Sequence, residues 1–279
     1  MRRLGILLAL MILLAWSAPA FAAEETVIGS STGAMSPRVT VRSYGARLQE
    51  TALGCYVADA MRAGAGTDIA VECGGHLVNS LPGGSLTMED AEAVFAGDLE
   101  VAAVEITAGQ LFDLLEYAVG NAEIDEAERL DPESASDRFP QISGFSFEFD
   151  VSQLAGRRIR QVRMADGTEL RREDGGKITA ALPVDMLDGS LGFSMLDGLS
   201  CRTVGRQSQL LAAHIRSQGT VEIPATGRIS MIGSAEKTLY ESLHLGTILP
   251  YVILVILLFR LPRLSKKWRK AGARSFDLR

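Results

Sequence analysis

Cysteine, sequence repeats and basic residues are scarce in most of this chain, and each shortage excludes a class of protein. Three cysteines among 279 residues form at most one internal disulfide, which is too few for a disulfide-stabilised scaffold. No period of roughly 20–50 residues is visible, which excludes repeat architectures. The net charge is −6 although a basic cluster follows residue 259, so the preceding part is acidic and we expect no nucleic-acid partner.

The first 22 residues have the features of a secretory signal peptide. Met1-Arg-Arg carries positive charge, residues 4–16 are mainly apolar, and Ala20-Phe-Ala22 provides small residues at the spacing that signal peptidase recognises. The apolar run is too short for a comfortable transmembrane span. We therefore predict a cleaved signal peptide at residues 1–22; an uncleaved N-terminal anchor is the alternative.

The other end of the chain has the features of a membrane anchor. Residues 243–259 are almost entirely apolar, and at about 1.5 Å per residue a helix of this length nearly spans a hydrocarbon core of about 30 Å. A basic cluster follows, of the kind that stays on the cytoplasmic side: Arg260, Arg263, Lys266, Lys267, Arg269, Lys270 and Arg274. We predict a single-pass protein of the cell membrane, with a transmembrane helix at residues 243–260, a basic cytoplasmic tail at 261–279, and residues 23–233 on the outer or periplasmic side.

Residues 23–233 are long enough for one domain with a single large core. Apolar spacing and cap residues predict helices over residues 48–61, 89–95, 107–119 and 207–216, and strands over residues 39–42, 68–72, 100–106, 145–150, 158–164 and 177–182. Thr87 and Asp90 have the spacing of a capping box at the start of the second helix. Because strands and helices do not alternate regularly, we predict an α+β fold, a mixed β-sheet flanked by helices.

Residues 121–137 are rich in Glu, Asp, Ser and Ala and contain Pro132. They have no apolar periodicity, which is typical of a solvated surface loop. An acidic docking strip is the alternative interpretation.

Seven short motifs follow one another along residues 50–229. They are Glu50-x-x-Leu-Gly-x-x-x-Ala-Asp-Ala-Met-Arg62, Asp68-Ile-Ala-x-x-x-Gly-Gly75, Gly84-Ser-Leu-Thr-Met-Glu-Asp90, Val104-Glu-Ile-Thr-Ala-Gly-Gln-Leu111, Gln141-Ile-Ser-Gly-Phe145, Gly192-Phe193 and Gly227-Arg-Ile229. Each motif is weak alone, but their order and spacing resemble the C-terminal domain of the 5′-nucleotidase and UDP-sugar hydrolase family. The resemblance covers nearly all of residues 26–232.

The resemblance implies a substrate-binding half that works beside a separate catalytic half. In that family an N-terminal metallophosphatase half holds two metal ions and hydrolyses the substrate, which requires Asp-x-His and Gly-Asn-His-Asp type motifs. The histidines of this chain are His76, His214 and His244, and none stands in such a motif. We therefore expect no metal, no cofactor and no catalysis by this chain alone.

The resemblance also implies a cleft whose ligand contacts have changed. The family pattern Asn-Gly-Gly-Gly-Ile-Arg corresponds to Cys73-Gly-Gly-His-Leu-Val78, a family arginine corresponds to Gln49, and the two aromatic residues that stack on the base correspond to Ala96 and Asp185. An acid of the family corresponds to Leu191. Arg47 and Phe95 are neighbours that could replace lost contacts. The candidate cleft residues are Arg47, Gln49, Cys73, Gly74, Gly75, His76, Phe95 and Asp185.

The resemblance places Cys55 and Cys73 beside this cleft. An exported chain can join such a pair by a disulfide, and two separate buried thiols are the alternative.

Three functions follow from these observations. The first is a membrane-anchored, exported, non-catalytic binding or assembly module that partners with a separate metallophosphatase or another envelope protein. The second is a nucleotide-binding subunit that contributes to hydrolysis in trans; whether a nucleotide or nucleoside binds stays open. The third is an enzyme using Cys73 and His76, for which the sequence shows no third, orienting group.

Overall fold

A computed structural model of the chain describes residues 26–38, 45–125 and 129–233. The expected signal peptide, the strand expected at residues 39–42, the transmembrane helix and the basic tail all lie outside the described residues. None of the described helices is long and apolar enough to cross a membrane.

The described residues form an α+β structure, as predicted. The helices are α1 (Ala52–Ala65), α2 (Met88–Ala93), α3 (Ala108–Ala118) and α4 (Gln207–Gln218). The strands are β1 (Val27–Ser31), β2 (Ile69–Cys73), β3 (Gly84–Thr87), β4 (Glu100–Thr107), β5 (Pro140–Ser143), β6 (Phe145–Asp150), β7 (Ile159–Met164), β8 (Glu169–Leu170), β9 (Lys177–Pro183), β10 (Cys201–Arg206), β11 (Thr220–Val221) and β12 (Ile229–Ile232).

These strands form three mixed sheets rather than the single mixed sheet that we predicted. The central sheet has the order β10-β4-β9-β2-β5, in which only β2 and β9 run parallel. A small sheet has the order β11-β1-β3, and a third has the order β12-β6-β7-β8. The last strand, β12, pairs in parallel with β6, which lies near the middle of the sequence.

The central sheet separates two apolar cores. Alternation along β2 directs Ile69, Val71 and Cys73 into one core, which also contains apolar residues of α3 and β6. Ala70 faces the other core, which contains apolar residues of α1 and α4. Because both faces are covered, β2 is buried along its whole length.

Cap residues determine where the helices begin. The capping box of Thr87 and Asp90 is confirmed, and Thr107 forms a second one with Gln110. Helix α1 begins after Thr51, whose hydroxyl accepts a hydrogen bond from the amide of Gly54 at 3.0 Å. The prediction of a helix from residue 48 was therefore wrong at its start.

The reason lies in the buried side chain of Gln141. Its Nε2 donates to the carbonyls of Ala46 and Gln49, and its Oε1 accepts from the amide of Thr51. These bonds hold residues 46–51 outside the helix.

In the loop at residues 121–137, the described residues form mainly exposed or partly exposed turns, including a 3-10 turn at Pro132–Ser134.

Candidate functional site

The candidate cleft forms where three 3-10 turns approach one another. Gly74–His76 directly follows the buried strand β2, Gly45–Arg47 precedes α1, and Val184–Met186 follows β9. The amides of Gly74 and Gly75 donate to the carbonyls of residues 139 and 137 at 2.8 and 2.9 Å. The segment directly before β5 therefore holds the turn that carries His76.

Gly74 and Gly75 are required by close packing. A Cβ at Gly74 would lie 1.8 Å from the carbonyl oxygen of Ala46, and a Cβ at Gly75 would lie 2.5 Å from the side chain of Asp137. Side chains at these positions would push the turns apart. The two glycines therefore act as spacers, whatever binds in the cleft.

Replacing Gly74 by alanine should lower the free energy of unfolding by about 2 kcal/mol or more, because the clash is with backbone that cannot rotate away. Chemical unfolding followed by circular dichroism measures the loss. Gly175→Ala is the matched control, since a Cβ there meets no atom within 4 Å. Equal stabilities of the two variants would contradict the spacer role.

His76 lies between two carboxylates. Its Nδ1 is 2.6 Å from Oε1 of Glu72, and its Nε2 is 2.9 Å from Oδ2 of Asp185. The exposed fraction of the side chain is 0% for Glu72, 13% for His76 and 16% for Asp185. The three side chains form a nearly buried ionic chain across the cleft.

Glu72 also receives hydrogen bonds from the structure around it. Its Oε1 accepts from the amide of Cys73 at 2.7 Å, and its Oε2 accepts from Nε2 of Gln207 at 2.6 Å. Gln207 begins α4 and is itself tied to Leu99, whose amide donates to its Oε1. A buried carboxylate is tolerated when its oxygens are bonded in this way.

The carboxylates keep His76 charged. Burial alone would lower the pKa of His76, but the charge of Glu72 and hydrogen bonds to Asp185 and Glu72 outweigh burial and raise the pKa to about 10. At neutral pH both ring nitrogens of His76 therefore carry protons and donate to carboxylates. A histidine in this state has no free nitrogen with which to accept a proton or bind a metal.

Arg47 lines an adjacent open cleft, which Asp185 does not line. Arg47 forms an ion pair with Asp137 at 2.5 Å. Within the described residues, Nε of Arg47 and Oδ1 of Asp185 are buried without a hydrogen-bond partner. The cleft has a volume of about 380 Å³ and is lined by Arg47, Ala135, Ser136, Asp137, Arg138, Ser190 and Leu191. The guanidinium of Arg138 lies 4.0 Å from the centre of the Tyr117 ring.

Cys73 is not arranged as a nucleophile. It is fully buried in the core on the far face of β2, and burial and the charge of Glu72 raise the pKa of its thiol. His76, the nearest histidine in sequence, is engaged by carboxylates on both sides. The geometry therefore argues against the thiol-enzyme hypothesis.

The disulfide considered between Cys55 and Cys73 is not formed, because both thiols are free and lie on different sides of the central sheet. Cys73 packs in the core that contains α3, whereas Cys55 lies on α1, on the opposite face. The Cys55 thiol donates to the Glu50 carboxylate at 3.0 Å. Two separate buried thiols are the correct alternative.

Two candidate residues do not contribute side chains to the cleft in the ways that we considered. Phe95 is buried in the core beneath α1 and forms a strand-like bridge with Leu77. The contact of Gln49 is through its backbone, since its carbonyl accepts from Gln141 at 2.9 Å. Of the predicted residues, the structure brings together Arg47, Gly74, Gly75, His76 and Asp185.

Sequence reasoning missed Glu72, Gln207 and Asp137. A signal for Glu72 was present, because a charged residue inside a buried strand needs a partner and His76 follows four residues later. Gln207 and Asp137 are distant in sequence and carry no local signal. Across residues 26–38, 45–125 and 129–233, no group of three or more His, Cys, Asp and Glu side chains is placed to hold a metal ion.

Comparison with known proteins identifies one family. The family model described as "5′-nucleotidase, C-terminal domain" matches residues 27–181. The trifunctional nucleotide phosphoesterase protein YfkN of Bacillus subtilis (strain 168) is 29% identical over 124 residues, which are 42% of this chain and 8% of that protein.

Solved structures share the same fold. A 5′-nucleotidase precursor from Thermus thermophilus has a TM-score of 0.64 at 23% identity, covering 81% of this chain and 43% of its own. The NAD nucleotidase of Haemophilus influenzae has a TM-score of 0.62 at 13% identity, covering 81% and 41%. The chain thus spans less than half the length of each of these proteins.

Proposed function

The chain belongs to the 5′-nucleotidase C-terminal domain family, and from this we propose that it is a membrane-anchored, exported module that binds or assembles with another protein and does not hydrolyse nucleotides by itself. The observation that carries the proposal is the ionic chain of Glu72, His76 and Asp185. By the resemblance, His76 replaces a glycine and Asp185 replaces an aromatic residue that stacks on the base. The Asp185 replacement puts a carboxylate where the resemblance implies an uncharged ring, and the His76 replacement adds a charged side chain bonded to it.

The chemistry of the ionic chain supports a binding role without catalysis. His76 is charged and bonded on both sides, Cys73 is buried, and Val78 takes the position of a family arginine. Stacking on aromatic rings is worth roughly 1–3 kcal/mol per base in single-strand sites. A cleft with Ala96 and Asp185 at the positions of the two aromatic residues lacks this stacking energy.

The proposed partner is a separate metallophosphatase chain or another envelope protein. The two-domain organisation that the resemblance implies favours the first, because a substrate-binding half acts there on substrate held beside a catalytic half. The predicted anchor at residues 243–260 would place both partners at the same membrane surface.

A second function is favoured by one observation, the open cleft beside Arg47. Arg47 and Arg138 both line it, and guanidinium groups bind phosphate well. In this alternative the chain binds a nucleotide and contributes to its hydrolysis in trans.

Calorimetry decides between the two functions. We expect no heat when adenosine is added at millimolar concentration to the full chain in a neutral detergent, and any heat from AMP or a UDP-sugar should be the same in wild type and in Arg47→Gln. Adenosine is the most direct probe, because it carries base and sugar without phosphate. Binding of adenosine, or binding of AMP that is lost in Arg47→Gln, would overturn the assembly proposal and support the alternative.

Two further measurements complete the test. The purified chain should release no phosphate from AMP or UDP-glucose with added Mn²⁺, Co²⁺ or Zn²⁺. Co-purification from membranes should recover a defined partner protein in stoichiometric amount. Phosphate release by the chain alone would contradict the proposal directly.

A further inference from the structure

A second pocket, separate from the cleft at His76, lies between α1, the corner that joins β5 to β6, and the end of β7. Its volume is about 450 Å³, within the range of roughly 300–1,000 Å³ that is usual for small-molecule sites. The polar side chains that line it belong to Asp59, Arg62, Ser143, Ser146, Arg163 and Arg228. It shares no residue with the cleft that Arg47 lines.

Charge distinguishes this pocket, since three arginines and one carboxylate line it. The carboxylate of Asp59 is fully used by Arg228, with both Nη–Oδ distances at 2.8 Å, and by the hydroxyl of Ser143 at 2.5 Å. Asp59 and Arg228 therefore neutralise each other. Arg62 and Arg163 remain as the excess positive charge.

Arg62 is held in place and keeps its terminal nitrogens available. Its Nε donates to the hydroxyl of Ser143 at 2.8 Å, which orients the guanidinium at the pocket wall. Gly144, at φ +86°, packs against Asp68 and Arg62, because a Cβ there would lie 2.1 Å from the carbonyl oxygen of Asp68 and 3.0 Å from Cδ of Arg62. Within the described part of the chain, Arg62 forms no ion pair with a carboxylate.

Arg163 and Ser146 complete the wall from the neighbouring sheet. They are directly opposite each other in the β6–β7 register, so their side chains lie side by side on one face. Arg163 is half exposed, and its nearest acid, Glu169, is 3.9 Å away and also receives a hydrogen bond from Gln161. The pairing of Arg163 with Glu169 is therefore weak.

We infer that this pocket, defined by Arg62, Ser146 and Arg163, binds the phosphate group of a phosphate ester. Planar guanidinium groups donate paired hydrogen bonds to tetrahedral oxyanions, and a serine hydroxyl adds a neutral donor. The volume leaves room for the alcohol part of the ester. This inference goes beyond the proposed function and does not depend on it.

Two sources could supply such an ester. One is a soluble phosphate ester. The other is the headgroup of an anionic phospholipid, which carries the same phosphate group. The chemistry recognised is the same in both cases.

The test uses the full chain in a neutral detergent. Calorimetry with glycerol 3-phosphate should show saturable binding that weakens as salt is added, and glycerol should show none. Arg163→Gln and Arg62→Gln should each weaken binding roughly tenfold, the loss of one charge-assisted hydrogen bond. Arg216→Gln, which removes an exposed arginine on α4, should leave it unchanged.

A short-chain phosphatidylglycerol distinguishes the two sources. Tighter binding of this lipid than of glycerol 3-phosphate, lost in Arg163→Gln, would support the site with a lipid headgroup as ligand. Equal binding of both would support it with a soluble ester. Arg163 is half exposed, so its variant should unfold at the wild-type temperature. Absence of binding at millimolar glycerol 3-phosphate and lipid, or equal binding by Arg163→Gln and Arg216→Gln, would overturn the inference.

Discussion

Replacing Glu72 by alanine should lower the free energy of unfolding by about 3–5 kcal/mol, because removing one member of a buried ion pair leaves the other uncompensated. The change removes the counter-charge that lies nearest to His76. It also leaves the amide of Cys73 and the side chain of Gln207 without their hydrogen-bond acceptor. It also opens a space in a strand that is buried along its length. Guanidinium unfolding of the full chain in a neutral detergent, followed by circular dichroism, measures the loss.

Two other variants make the Glu72 prediction specific. Glu105→Ala removes an exposed carboxylate from β4 and should change the stability by no more than about 0.5 kcal/mol. Glu72→Gln keeps the size of the side chain but not its charge, so it should fall between wild type and Glu72→Ala. If Glu72→Ala were no more damaging than Glu105→Ala, the ionic chain would not contribute to the stability of the domain.

The parts of the fold that follow from local patterns could be predicted. Strict alternation in Phe145–Asp150 identified β6, because one face of that strand is packed and the other is partly exposed. The capping box at Thr87 located the start of α2, since side chain and backbone satisfy each other locally. Strands β1 and β3 escaped prediction, because they are short, rich in Gly and Ser, and formed only by pairing with distant segments.

The candidate site also has residues that the sequence identified and contacts that it did not. Gly74, Gly75 and His76 were identified as cleft residues, because the resemblance aligns them with a motif of the family. The hydrogen bond between His76 and Asp185 joins residues 109 positions apart, and no local sequence pattern predicts it. The resemblance indicated where Asp185 would lie but not that a charged histidine would reach it. The two alternatives for Cys55 and Cys73 stayed open for a related reason, since residues that the resemblance places near one cleft can lie on opposite faces of a sheet.

The ionic chain links the stability of the domain to the character of its cleft. The same carboxylates that stabilise His76 hold a positive ring across the site, so a change that opens the cleft to a nucleobase would also weaken the fold. Under the proposed function the two features meet at Asp185, which ends the ionic chain and, by the resemblance, takes the position of a residue that stacks on the base.

The stability of the wild-type domain should fall as the pH rises from 7 to 10, and the fall should be smaller in His76→Gln. The folded pKa of His76 is raised to about 10, above its ordinary value of 6.5. A group raised in this way contributes fully below the unfolded pKa, and its contribution is lost as the pH passes through the folded pKa. Each pKa unit between the folded and unfolded states corresponds to about 1.4 kcal/mol, so the charge of His76 contributes several kcal/mol to stability at low pH.

The difference between the two pH profiles isolates His76. Burial also raises the pKa of Cys55, Tyr56 and Cys73, and these groups weaken the fold at alkaline pH, but they are present in both proteins and cancel in the comparison. Guanidinium unfolding at pH 6, 8 and 10 measures the free energy of unfolding of both proteins. Wild type should be more stable than His76→Gln by the largest difference at pH 6, and the two should be nearly equal at pH 10. Parallel profiles would mean that His76 is not held charged by Glu72 and Asp185, and the ionic interpretation of the cleft would fail.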